Sequence, residues 1–310
     1  MERSKQLKEG MKFIAIYILL ILLTLFVPFI GLFLMLTLPI PFVIYTCKHG
    51  LKQGIILGLI AFFLLFIITP LSLPLTLTFV ATGIVIGELY RRKKDAFGVL
   101  LGGSLSFIAA LILNYIGSIV IFNLNLVEII QDLIRDSIVI SEQMLDFVGQ
   151  NEEVLVENAY AFIDEIPFIT PMIIIVTGIS IAFLVQWLSS LFLRQLDYEI
   201  ALFPPFREWS FPRAFIWYYL FTYIIMLIGT EHGSTMYIVI ANLAPILEIV
   251  MIIQGFSFIF FYFHSKGKSK AMPIIIVVLT FLLPFMLYII RILGIIDLGF
   301  ELRKRLNSKK

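Results

Sequence analysis

A carboxylate in the middle of a long apolar run is the residue of this chain with the clearest chemical consequence. Glu248 falls beside the midpoint of an apolar stretch running from about residue 236 to 263. A charge at the centre of a bilayer costs on the order of 3 kcal/mol on insertion scales, so such a group must be sheltered, protonated, paired or hydrated. Pro245 removes a helical N–H one turn earlier and favours a kink. Gly255 shares a face with Glu248 and leaves room for a neighbour. The chemistry this permits is a ligand, ion or proton site, and the plain alternative is a protonated or paired structural glutamate. Asn114 and Asn242 fall in the outer halves of their apolar segments. They can line one outward-facing pocket with Glu248, or simply bond between helices. Arg291 is a partner for Glu248 or for Asp297, or an anchor whose stem lies along apolar surface.

Other chemistry is missing from the sequence. It holds no Walker loop, no H-E-x-x-H, no G-x-S-x-G and no intramembrane-protease aspartate pair. Cys47 is the one cysteine, which excludes an intramolecular disulfide and a multi-cysteine metal site. His232 follows Glu231 in a short turn with no second His or Cys to complete a metal site, so it reads as a solvated turn residue. No catalytic residue, metal, cofactor or nucleic-acid partner is expected, and the chain reads as no enzyme.

The elements that must position these residues are membrane helices. Of 310 residues, 60% are hydrophobic and 14% charged, with a net charge of +2. Soluble chains run about 45–50% apolar and about 25% charged. Runs such as Phe13 to Tyr45 read as membrane spans, because in lipid only a helix satisfies its own backbone, and the short alternating segments of a β-barrel are absent. The expected fold is all-α, a polytopic bundle of about nine segments near 11–27, 29–46, 53–69, 73–90, 97–122, 167–193, 213–229, 236–263 and 272–296. Pro28 with Gly31 is expected to turn the first run into a hairpin. Thr69-Pro70 and Pro74 turn the chain between the third and fourth segments.

Lysine and arginine in short loops set the orientation. The amino terminus (an uncleaved first span), Lys48 with Lys52, Arg91 to Lys94, Arg194 to Arg213 and Lys266 to Lys270 are expected on the cytoplasmic side of the cell membrane. The basic tail 297–310 breaks the pattern after a single crossing and fits it if the last segment re-enters at Pro284. A simple crossing is the reading adopted. Residues 123–166 carry ten acidic residues and one basic one, Arg135. Helically spaced Leu126, Ile130, Leu133, Ile134 and Ile138 oppose Glu128, Asp132 and Asp136 there. Two amphipathic helices broken near Gly149-Gln150-Asn151 are expected outside the cell, as a cap or a lid. The domains expected are a bundle over 1–122, this loop, a second bundle over 167–296, and the tail.

Small residues recur every four positions: Gly50, Gly54 and Gly58; Gly83 and Gly87; Gly98, Gly102, Ser106 and Ala110; Gly178, Ala182, Gln186 and Ser190. Such ridges let helix backbones approach, inside the bundle or against a membrane protein partner. In Pro204-Pro205-Phe206-Arg207-Glu208-Trp209-Ser210-Phe211-Pro212-Arg213, prolines block a regular helix. Trp209 and the phenylalanines partition to the headgroup region, and Arg207 meets lipid phosphates or a docking partner.

That stretch, Leu293-Gly294-Ile295-Ile296-Asp297 running to Phe300 and Arg303, and Leu38-Pro39-Ile40-Pro41-Phe42 resemble motifs of the YybS-like family of Gram-positive bacterial membrane proteins. The resemblance runs the length of the chain and extends distantly to the S components of energy-coupling-factor transporters and to the rod-shape protein MreD. It implies a bundle that binds or docks something within the membrane, and it supplies no catalytic residues. The Ala-x-x-x-Ala docking row of S components is absent, since the first helix offers only Ala15, and the row from Gly50 could stand in for it. Three function classes follow: a transport-type binder of a small molecule, a scaffold or regulator of the envelope, and, weakest, an intramembrane enzyme.

Overall fold

A computed structural model describes residues 2–27, 29–148 and 153–307, and every element assigned among them is helical. The α-helices are α1 (Glu2–Phe26), α2 (Ile30–Met35), α3 (Ile40–His49), α4 (Leu51–Ile68), α5 (Leu73–Arg91), α6 (Ala96–Phe122), α7 (Leu126–Val148), α8 (Glu153–Gln195), α9 (Ala214–Ile228), α10 (Thr235–Ser265), α11 (Ala271–Leu282), α12 (Phe285–Phe300) and α13 (Leu302–Asn307). The chain is therefore an all-α, multi-pass membrane protein. Seven stretches among the described residues are long and apolar enough to cross a membrane: Ser4–Phe26, Ile30–His49, Leu51–Ile68, Pro70–Arg91, Ala96–Phe122, Val156–Gln195 and Thr235–Ser265.

The expected nine segments all coincide with helices, but two of them lack spanning length. The segment at 213–229 forms α9, with 15 residues. The segment at 272–296 is not one continuous helix, because it breaks at Leu283 (φ −122°, ψ 88°) ahead of Pro284. A residue before proline is pushed out of the helical region. The arms that result, α11 and α12, have 12 and 16 residues, or about 18 and 24 Å at 1.5 Å per residue. Beyond α12, Arg303 bonds Ser257, in the half of α10 that leads to Lys266.

The expected outer loop also differs. Residues 126–148 form the amphipathic α7, in which Val127 is buried while Leu126, Ile130 and Leu133 are exposed, Leu133 to 61%. The expected break near residues 149–151 lies outside the described residues. From Glu153 the chain does not form a separate loop helix. It runs into the sixth span as a single helix of 43 residues, past Pro167 and Pro171. The loop boundary at 166 is thus an interior point of α8.

The chain divides into two compact units, one of Met1–Asp164 with Ile173–Leu202, the other of Glu165–Met172 with Phe203–Lys310. These are not the halves 1–122 and 167–296. In the first unit α3 packs on α5, and Tyr17, Leu38, Phe42, Leu65 and Phe79 are fully or almost fully buried around them. Prolines at the start of α3 supply the fixed φ of a helix entry and need no N–H donor there. The glycine rows face inward. A Cβ at Gly83 would lie 2.6 Å from the Pro39 carbonyl oxygen, and one at Gly87 2.5 Å from that of Val43. Gly54 abuts Thr46, Gly58 abuts Val80 and Ile84, and Gly102 abuts Leu89. Gly98 donates its N–H to Asp95, the N-cap of α6, at 3.2 Å. Gly50 ends α3 at φ 90° beside Arg91. The sixth-segment row is inward too: Ala182, Gln186 and Ser190 are buried, and Gln186 donates to the Ala96 carbonyl at 2.8 Å.

Backbone contact at Gly87 makes it the sharpest test of this packing. Gly87→Leu drives a side chain into the Val43 carbonyl and is expected to cost about 3 kcal/mol or more, at the upper end of overpacking effects. Gly117→Leu, which meets nothing within 4 Å at its Cβ, should leave the melting temperature in detergent unchanged. Equal melting of the two variants would refute the α3–α5 contact.

Candidate functional site

The second unit assembles its polar groups around one close helix crossing. A Cβ on Gly255 of α10 would collide with the Ile290 carbonyl of α12, and a Cβ on Gly294 of α12 with the Met251 carbonyl of α10. Two glycines therefore bring the backbones into contact. That crossing places Arg291, next to Ile290, against Glu248, about one turn from Met251 on α10.

Glu248 Oε1 accepts hydrogen bonds from both Arg291 and the Tyr223 hydroxyl of α9. Arg291 also reaches the Tyr223 hydroxyl at 3.4 Å and lies over the Tyr288 ring, 4.9 Å from its centroid. Tyr223 stacks on Tyr219 with centroids 4.4 Å apart. Glu248 lies thirteen residues into the 31-residue α10, near its middle. The glutamate therefore has a cation and a phenol, as a charge in an apolar region requires. The pair is not sealed: the Glu248 side chain keeps 35% of its surface and Arg291 18%.

A second ion pair in this unit is closed. Asp297 and Arg303 pair at 2.9 Å, with side chains 1% and 15% exposed. Gln254 donates to the same aspartate oxygen at 2.5 Å and accepts the Phe211 N–H at 3.0 Å. Arg303 donates to the carbonyls of Arg207 (3.0 Å) and Trp209 (2.9 Å) and to Ser257 at 3.1 Å. Ser257 lies 2.7 Å from the carbonyls of Phe206 and Trp209. This cluster fixes the proline-flanked loop to α10. Within the loop the Trp209 indole N–H donates to Pro204, and Arg207 pairs with Glu208 at 3.5 Å.

Asn242 and Asn114 are engaged with backbone. Asn242 takes the Met172 N–H at 2.7 Å and donates to the Phe168 carbonyl at 2.7 Å. Its amide thus bridges the turn of α8 that contains Pro171. Asn114 belongs to the first unit, where it donates to the Pro74 carbonyl (2.9 Å) and to the Thr78 hydroxyl (2.8 Å). The two amides therefore belong to different units, each with partners of its own. His232 is more than a solvated turn residue: it meets Glu165 at 2.9 Å, and Glu165 also accepts from the Tyr237 hydroxyl at 2.5 Å. Among the described residues, no group of three His, Cys, Asp or Glu is placed to hold a metal ion.

Sequence reasoning missed Gln254, Ser257 and Gln131 as polar partners. Gln131 donates to the Ile163 carbonyl at 2.9 Å, the group that Pro167, four residues on, leaves without its helical donor. The signal was available: a proline inside a span implies a freed carbonyl, and an amide elsewhere is its natural donor. Glu88, near the end of α5, has close partners as well. It is buried, and it binds Arg91 and Arg92, each Nε at 2.7 Å.

Residues 15–298 match the model of a family described as "Predicted membrane protein (DUF2232)". A relative in Bacillus subtilis (strain 168), "Uncharacterized protein YybS", is 30% identical over 312 residues, covering 99% of this chain and 100% of the relative. No solved structure matches.

Proposed function

We propose that this chain, which belongs to the DUF2232 family of predicted membrane proteins, is a non-enzymatic, transport-type binder of a small molecule, comparable to transporter S components. Glu248, Arg291 and Tyr223 are the polar end of its site. The contrast between the two ion pairs of the second unit carries this reading. Asp297–Arg303 is sealed and bonded to backbone, as a structural pair is. Glu248–Arg291 is partly open, and among the described residues neither member bonds a backbone group. A partly open charge pair midway along a membrane helix needs water or a polar ligand against it, because acyl chains supply no hydrogen bonds. A ligand with charged or hydrogen-bonding groups can exchange partners with it.

The pinned loop with Arg207 and Trp209 favours a second reading, a scaffold of the cell envelope that docks a partner through a rigid surface. Orientation in the cell membrane follows the positive-inside rule: the amino terminus, Arg91 to Lys94 and Lys266 to Lys270 are cytoplasmic, and residues 123–166 are outside. The bonds of Arg303 to Ser257 and to the 206–209 loop support a re-entrant α11–α12 and a cytoplasmic tail. On a Cys47→Ala background, Lys268→Cys and Lys304→Cys should label from the same face in intact cells and inverted vesicles. Labelling from opposite faces would mean a crossing.

Neutralising both members of the open pair tests the binding role. Glu248→Gln alone would strand a charge on Arg291, so loss of either partner is expected to destabilise by about 3–5 kcal/mol. Glu248→Gln with Arg291→Gln keeps hydrogen bonds and removes both charges. That double variant should melt near the parent in mild detergent while losing the small molecule seen with the parent by mass spectrometry. Undiminished retention by the double variant, or a parent that carries no small molecule, would count against the reading.

A further inference from the structure

We propose that a cleft between α1 and α4 holds one anionic phospholipid, its phosphate at Lys52 and Gln53 and one acyl chain along Ile14, Ile56 and Ile60. The cleft has a volume of about 390 Å³ and lies wholly in the first unit, with Tyr45 of α3 also in its lining. This falls within the range of about 300–1,000 Å³ typical of small-ligand sites. Both helices contribute the same register of positions: i, i+1, i+4, i+5 and i+8, starting at Gln6 on α1 and at Lys52 on α4. A Cβ at Gly10 would lie 3.3 Å from Leu57 and 3.3 Å from the Tyr45 hydroxyl. The two sets of positions are therefore level.

The chemistry along the cleft is graded. Gln6, Lys52 and Gln53 lie at one end, where both helices begin, and Ile14 and Ile60 lie eight residues further along, about 12 Å at 1.5 Å per residue. Both helices are spans that start at this end. The polar end therefore belongs at headgroup level and the apolar end in the hydrocarbon, the order in which a lipid presents its own parts. The sign of the headgroup follows from charge. Glu9, the acidic residue of α1 nearby, is taken by Lys48 at 2.7 Å and His49 at 2.9 Å. Lys52 has no ion pair or hydrogen bond among the described residues, so its ammonium is available to a phosphate, beside the Gln53 amide.

Native mass spectrometry of the full chain in detergent tests this with two probes of identical tails, dioleoyl phosphatidylglycerol and dioleoylglycerol. One phosphatidylglycerol per chain should be retained in preference to dioleoylglycerol. Lys52→Glu should weaken retention by about tenfold, as loss of a charge-assisted hydrogen bond implies. Ile56→Trp, which fills the cleft, should abolish it. If Lys52→Glu melts early, Lys52→Gln with an unchanged melting curve takes its place. Equal retention of the two probes, insensitivity to the lysine change, or undiminished retention in Ile56→Trp would each overturn the proposal.

Discussion

Inside a bilayer, a backbone carbonyl that loses its helical N–H donor has no water to accept from, and each such group costs several kcal/mol. Much of the interior polarity of this protein follows from that constraint. Pro167 and Pro171 interrupt the hydrogen-bond ladder of α8, yet the helix continues for 43 residues. One side-chain amide stands in for the donor that Pro167 lacks, and another bridges the turn that contains Pro171. Gln131 serves the Ile163 carbonyl, and Asn242 bridges Phe168 and Met172. Asn114 adds a bond to the Pro74 carbonyl, and Ser257 and Arg303 bond the loop carbonyls of residues 206, 207 and 209.

Seen this way, the polar side chains of these helices and loops fall into two groups. Asn114, Asn242, Gln131, Ser257 and Arg303 are committed to backbone groups and explain themselves as structure. Glu248 and Arg291 bond each other and tyrosine hydroxyls, and the glycine pair Gly255 and Gly294 sets the distance between their helices. A structural pair in lipid is most stable when closed, as Asp297–Arg303 is. One that stays partly open keeps a desolvation cost that a ligand can offset.

The sequence placed the helices well, because long apolar runs admit few alternatives in lipid. It also located Glu248 and offered Arg291 as its partner, but it left Asp297 equally available. The choice depends on the α10–α12 crossing, and two glycines almost forty residues apart carry no visible mark of their contact. The continuity of α8 through residue 166 is hidden from the sequence for a related reason. Glu165 and two prolines look like the end of a loop, while the side chains that let the helix continue come from α7 and α10. The last segment is two helices divided ahead of Pro284, a break that apolar composition alone does not mark. Sequence left Asn114 and Asn242 open between a pocket and bonds between helices, and the carbonyls they meet carry no mark in it.

The dependence of α8 on side-chain amides is open to direct measurement by hydrogen exchange at the Met172 amide in detergent, comparing the parent with Asn242→Leu. Removing the amide should expose the Met172 N–H and the Phe168 carbonyl. The expected result is faster exchange at residue 172, with a loss of about 1–3 kcal/mol in stability, while α3 and α5 remain as protected as in the parent. Unchanged protection at Met172 would contradict the view that Asn242 holds this turn of the helix together.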